Sequence, residues 1–198
     1  MQVGNVPSNL RVVDYSLGFT GSAHDATAFE HTAAALHPDW MFKGPEFAYV
    51  DSAYPLGKHT IPVHKKPASL QRENTIFDHL VSHLRVRSEH CMGALKGRFQ
   101  CLRGLRVTIN NAADHVRACR WIQVAIILHN IIIDIEGSAS GAHFAPMHTH
   151  EDEEEDTGIA GEEENSSLED SDGQEKRDRL IAELLAFRYK RQTDASFM

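Results

Sequence analysis

Fifteen residues, Trp121 to Ile135, form the most apolar window of the chain and constrain its fold more than any other segment. Gln123, His129, Asn130 and Asp134 interrupt the window. It falls short of the ~20 apolar residues that span a bilayer, so it reads as part of a helix buried in a protein. That helix, expected over Ala112 to Ile135, is apolar nearly all round in its latter half and is predicted to be central. The 198 residues allow one domain around such a core.

Other segments supply the layers. Leu10 to Phe19 is rich in β-branched and aromatic residues and suggests a strand. After a turn at Thr20–Asp25, Ala26 to Leu36 predicts a helix with Asp25 or Ser22 near its N-cap. Phe47–Val50 predicts a second strand, ending at Asp51, and Pro55 and Gly57 make the following segment a loop. Thr60 to His64 is a short extended piece. From Ser69 to Phe99 the apolar residues Ile76, Phe77, Leu80, Val81, Leu84 and Cys91 fall at helical spacing. Leu102 to Ile109 reads as a short strand or extended link.

Charge divides the chain. The formal net charge is −8, yet residues 151–198 hold sixteen acids and six bases, whereas residues 1–150 hold twelve acids and fourteen bases. A mildly basic domain over 1–137 is expected to precede a Gly/Ser and then acidic linker over 138–173, too poor in large apolar groups to fold. An amphipathic helix over 174–192 follows, with Leu180, Leu184 and Phe187 on one side. His143, His148 and His150 before the acidic run are irregularly spaced and read as solvated linker. Cys91, Cys101 and Cys119 contain no Cys-x-x-Cys pair, which argues for reduced thiols in an intracellular protein. The first residues lack a basic and an apolar signal region.

The bases of the first part are themselves clustered. Arg85, Arg87, Lys96, Arg98, Arg103 and Arg106 share a stretch in which Glu89 is the sole acid. That block suits a polyanion such as nucleic acid, or else a solvated helix face. Gly93 and Gly97, four and eight residues after Glu89, would admit a backbone or a substrate on that side. Asp51 at a strand end and Glu89 on a basic helix are the pair of acids that could hold a hard divalent cation over a phosphodiester. Two such ions about 4 Å apart would activate the attacking water and stabilise the leaving oxygen. Each acid also has a plainer reading, Asp51 as a turn former and Glu89 as an i, i+4 partner of Arg85.

Four motifs occur in order: Gly18-Phe-Thr-Gly-Ser-Ala-His-Asp25, Asp51-Ser-Ala-Tyr-Pro-Leu56, Arg85-x-Arg-Ser-Glu89-x3-Gly93-x2-Lys96-Gly-Arg98 and Leu128-His-Asn130. Together they resemble the DDE endonuclease domain of Harbinger-type transposases and their domesticated relatives, most like the fungal forms, over roughly residues 8–135. The resemblance implies an RNase H-like α/β fold, here an incomplete mixed sheet flanked by helices. It also implies a triad of carboxylates binding two divalent ions, Mg²⁺ or Mn²⁺, for cleavage and transfer of DNA strands.

Residue by residue, Asp51 matches the second catalytic acid and metal ligand of the family, and Glu89 the third. His24 and Asp25 match a turn motif, with Asp25 in a supporting role. The family's first catalytic Asp lies upstream of the matched segment, and Asp14 does not align with it. The expectation is an N-terminally truncated domain with impaired activity, or a non-catalytic DNA-binding or partner-binding remnant. A nuclear location and a separate Myb-like DNA-binding partner are implied by the resemblance; a membrane is not.

Overall fold

The computed structural model describes residues 1–19, 25–137 and 170–195. The chain divides into two compact units, Met1–His37 with Leu84–Glu155 and Pro38–His83 with Asp156–Met198. The acidic tract up to residue 169, the three linker histidines, Ser22 and His24 lie outside the described residues.

In the first unit, strand β1 (Gln2–Asn5) pairs antiparallel with β2 (Val12–Ser16), with a register shift between Gly4 and Asn5. Pairing is what makes β1 a strand, because its four residues carry no alternation of their own. Along β2, Val12, Asp14 and Ser16 turn inward while Val13 is exposed. Two long helices complete the unit: the second half of α4 (Arg72–Arg98) and the whole of α5 (Ala112–Glu136). Leu10, Val12, Cys91, Ala94, Leu95 and Ile126 form the core, with Val3, Tyr15, Phe99, Leu102 and Ile122 packed against it.

Side chains grip backbone where this core meets the strands. Leu10 is a non-glycine residue at φ 63, a left-handed conformation that costs about 1–3 kcal/mol. Its carbonyl accepts from His129 Nε2 at 3.0 Å and from the Cys91 thiol at 3.4 Å, and its side chain is buried, which holds the conformation in place. Asn130 accepts from the Val12 N–H at 3.0 Å and donates to the Val12 carbonyl at 2.8 Å. Arg11 pairs with Asp134 beside it.

The helix expected over 26–36 is two helices, α1 (Asp25–Phe29) and α2 (Ala33–Leu36). The cause is a fresh start at residue 33. The carboxylate of Asp14 accepts from Ala33 N at 3.1 Å and Ala34 N at 2.8 Å, and Thr32 Oγ1 accepts from Ala35 N at 3.3 Å. The Ala33 and Ala34 amides, which would otherwise lack partners, are thus satisfied, and the Ala35 amide is shared between the hydroxyl and the carbonyl of Thr32.

The prediction of a central α5 is corrected. Only one face is buried, through Ala118, Ala125, Ile126, His129 and Ile133. Trp121, Val124, Ile127, Leu128, Ile131 and Ile135 are exposed on the rest. The helix is long and apolar enough to cross a membrane by length and composition alone, but His129 and Asn130 tie its inner face to the backbone of Leu10 and Val12. The strand or link expected over 102–109 is a 3₁₀ turn (Gln100–Arg103) followed by irregular chain.

In the second unit, α3 (Pro38–Met41) precedes β3 (Ala48–Val50), which pairs parallel with β4 (Thr60–Pro62) in the register Ala48 to Thr60. The first half of α4 and the C-terminal helix α6 (Ser171–Ala195) pack with them. Ile61, Phe77, Val81 and Ile181 are the buried centre. On α6, Leu180, Leu184 and Leu185 face this core, while Phe187 is exposed and does not.

The N-terminal end of α6 is fastened by three contacts. Lys176 Nζ donates to the carbonyls of Pro45 and Lys58 at 2.9 and 3.0 Å and lies 4.5 Å from the Phe47 ring centroid. Asp170 accepts from Lys58 N at 3.1 Å. Gly173 lies so close to Gly57 that a Cβ there would sit 2.8 Å from its backbone. The class is thus mixed α/β, with two separate two-stranded sheets among the described residues where a single mixed sheet was expected.

Candidate functional site

Asp51 follows β3 directly, as expected, and is half-buried. Its Oδ1 accepts from the Ser52 N–H at 2.6 Å and from the Ser52 hydroxyl at 3.3 Å, and its carbonyl accepts from Tyr54 N at 3.0 Å. The strand end and the turn therefore set the direction of the carboxylate.

Glu89 lies on α4 and is exposed. At about 100° per residue, Arg85, Glu89 and Lys96 share one face of that helix, while Arg87 and Arg98 share the opposite one with buried Cys91, Ala94 and Leu95. The basic block is therefore not one surface. Arg87 Nε donates to the Pro7 carbonyl at 2.9 Å. Arg98 donates to His129 Nδ1 at 3.2 Å and stands 4.0 Å from Glu136, with its side chain only 11% exposed. These two arginines fasten the first unit together. Lys96, Arg103 and Arg106 are exposed, and Arg85 is half-buried. Gly93 is buried, so it does not open the Glu89 face.

Asp51 belongs to the second unit and Glu89 to the first. Among the described residues no three His, Cys, Asp or Glu side chains converge on a common point. Asp14 adds no ligand, because both its oxygens cap α2. Asp25 opens α1, and its side chain lies outside what is described. Each candidate acid offers hard oxygen donors suited to Mg²⁺ or Mn²⁺. Each stands in its own unit, Asp51 at the end of β3 and Glu89 on α4.

Two further polar arrangements carry no spacing signal in the sequence. His129 is fully buried, and its pKa is lowered by burial, raised in part by the Leu10 bond and lowered again by the Arg98 charge. In the second unit, Asp78 Oδ1 accepts from both the backbone N–H and the Nδ1 of His64, at 3.0 and 2.8 Å. That pair locks the end of β4 to α4. Both arrangements join residues distant in sequence, which local periodicity does not register.

A family model described as DDE superfamily endonuclease matches residues 1–130. No curated protein and no solved structure matches the chain. The matched span runs from β1 to Asn130 in α5, and includes Asp51, Glu89 and the Leu128-His-Asn130 segment. The chain belongs to the DDE superfamily endonuclease family.

Proposed function

We propose that the chain is a Harbinger-type, RNase H-like nuclease domain acting on DNA phosphodiesters, with Asp51 and Glu89 as its metal-ligating carboxylates. The family match over residues 1–130 carries the reading, and the oriented strand-end carboxylate of Asp51 supports it. Family endonucleases work with divalent metals, which polarise the phosphodiester and activate the attacking oxygen. In this chain Ser52 fixes the Asp51 carboxylate, and exposed Lys96 provides a phosphate contact on the face of Glu89. The Harbinger resemblance extends the proposal to the nucleus and to a Myb-like DNA-binding partner.

A second reading, a DNA-binding remnant without catalysis, is favoured by one observation. Among the described residues no third His, Cys, Asp or Glu side chain joins Asp51 or Glu89 within its own unit. A supercoiled plasmid incubated with the full chain and Mn²⁺ separates the two. Nicking that falls at least about 100-fold in both Asp51→Ala and Glu89→Ala supports the nuclease. Metal-independent, salt-sensitive binding without nicking supports the remnant.

A further inference from the structure

The turn between α4 and α5 borders an open groove of about 690 Å³, lined by Gln100, Cys101, Arg103, Leu105, Arg106 and Trp121 among others. Among the described residues no acid lines it. Trp121 is 55% exposed, so its ring is open to solvent at the start of the bare face of α5. Arg103 and Arg106 are exposed, and neither is paired with an acid among the described residues. They differ in this from Arg87 and Arg98, whose guanidinium groups hold protein atoms.

We propose that this groove binds single-stranded nucleic acid, with one unstacked base on the Trp121 indole and the flanking phosphates on Arg103 and Arg106. An open indole next to two unengaged guanidiniums matches the two needs of such a ligand, a π-face and neutralising charge. The volume suits a nucleotide. A base paired inside a duplex cannot present its face to the ring, so the site selects single strands. The proposal rests on the reading of the chain as one that acts on DNA. It assigns to that reading a strand-holding site remote in sequence from Asp51.

The chain contains two tryptophans, Trp40 and Trp121, so the Trp40→Phe variant makes Trp121 the sole reporter. Titration of this full-length variant with a twelve-nucleotide oligothymidylate at low salt is expected to quench its fluorescence saturably. A blunt duplex of the same length should leave it nearly unchanged. In anisotropy titrations of a labelled oligothymidylate, Trp121→Ala should weaken binding about tenfold or more, and Trp121→Phe should restore much of it. Arg103→Ala and Arg106→Ala should each lower the salt slope by about 0.7, whereas Trp121→Ala should not.

Equal quenching by duplex overturns the proposal, as does oligonucleotide binding without quenching, or no binding at all. It is likewise overturned if Trp121→Ala changes only the self-association seen by light scattering and leaves oligonucleotide affinity intact. Quenching without plasmid nicking would uphold this site while the nuclease reading fails. Nicking without quenching would do the reverse.

Discussion

His129 is fixed in one protonation state by its two neighbours. Nε2 faces the Leu10 carbonyl and must carry the proton, while Nδ1 accepts from Arg98. Burial and the adjacent guanidinium hold its pKa below the ordinary 6.5 despite the Leu10 bond. Below that value the unfolded chain binds a proton that the folded one refuses. Stability from this group is thus complete above pH ~6.5 and is lost as pH falls toward the lowered folded pKa, by at most about 1.4 kcal/mol per pH unit. Urea midpoints for wild type and His129→Gln, compared at pH 7.5 and 5.5, should show a shallower decline in the variant; an identical decline would assign the effect to other groups. Cys91 behaves in the opposite sense, since burial pushes its thiol up to about 11 and keeps it protonated. Alkylation of the native chain at pH 8 should therefore label exposed Cys101 well before Cys91, as read by mass spectrometry. The sequence showed the six bases as one block. It could not show that Arg87 and Arg98 are consumed by Pro7 and His129, because those partners lie 80 and 31 residues away.

At the scale of elements, the long helices were legible because period and composition repeat over many turns. Their ends and interruptions were less so. The break between α1 and α2 is made by Asp14, nineteen residues before Ala33, and β1 exists through its partner β2. α6 was expected from its leucines, yet what fastens it is a glycine contact and a lysine reaching carbonyls from two loops. These contacts give opposing forces a clear balance at position 173. Alanine would improve helix propensity by about 1 kcal/mol, but its Cβ would press on the unyielding backbone of Gly57, and overpacking costs about 1–3 kcal/mol. Gly173→Ala is expected to loosen α6, seen as faster proteolysis within 171–195. Lys176→Met should act likewise while leaving the helix propensity unchanged.

Across the whole molecule the chain carries two cores, one around Leu95 and Ile126 and one around Phe77 and Ile61. Composition pointed to a single domain centred on α5, because apolar content does not report which face of a helix finds a partner. Phe77→Ala, at a cost of about 3–5 kcal/mol, should accelerate amide exchange in 47–63 and 171–195 more than in 2–16. Equal acceleration everywhere would mean that the cores unfold as one.

The amide of Asn130 has a consequence for how copies of the chain meet. Its carboxamide fills, at Val12, the place an adjoining strand would take, and because it ends after one peptide's worth of bonds it cannot be extended. It is a stopper on a growing sheet. In Asn130→Leu the N–H and carbonyl of Val12 would be left to recruit backbone from another molecule. Such a variant should scatter light increasingly with concentration where the wild type stays clear, so one side chain that anchors a helix also sets where β-pairing halts.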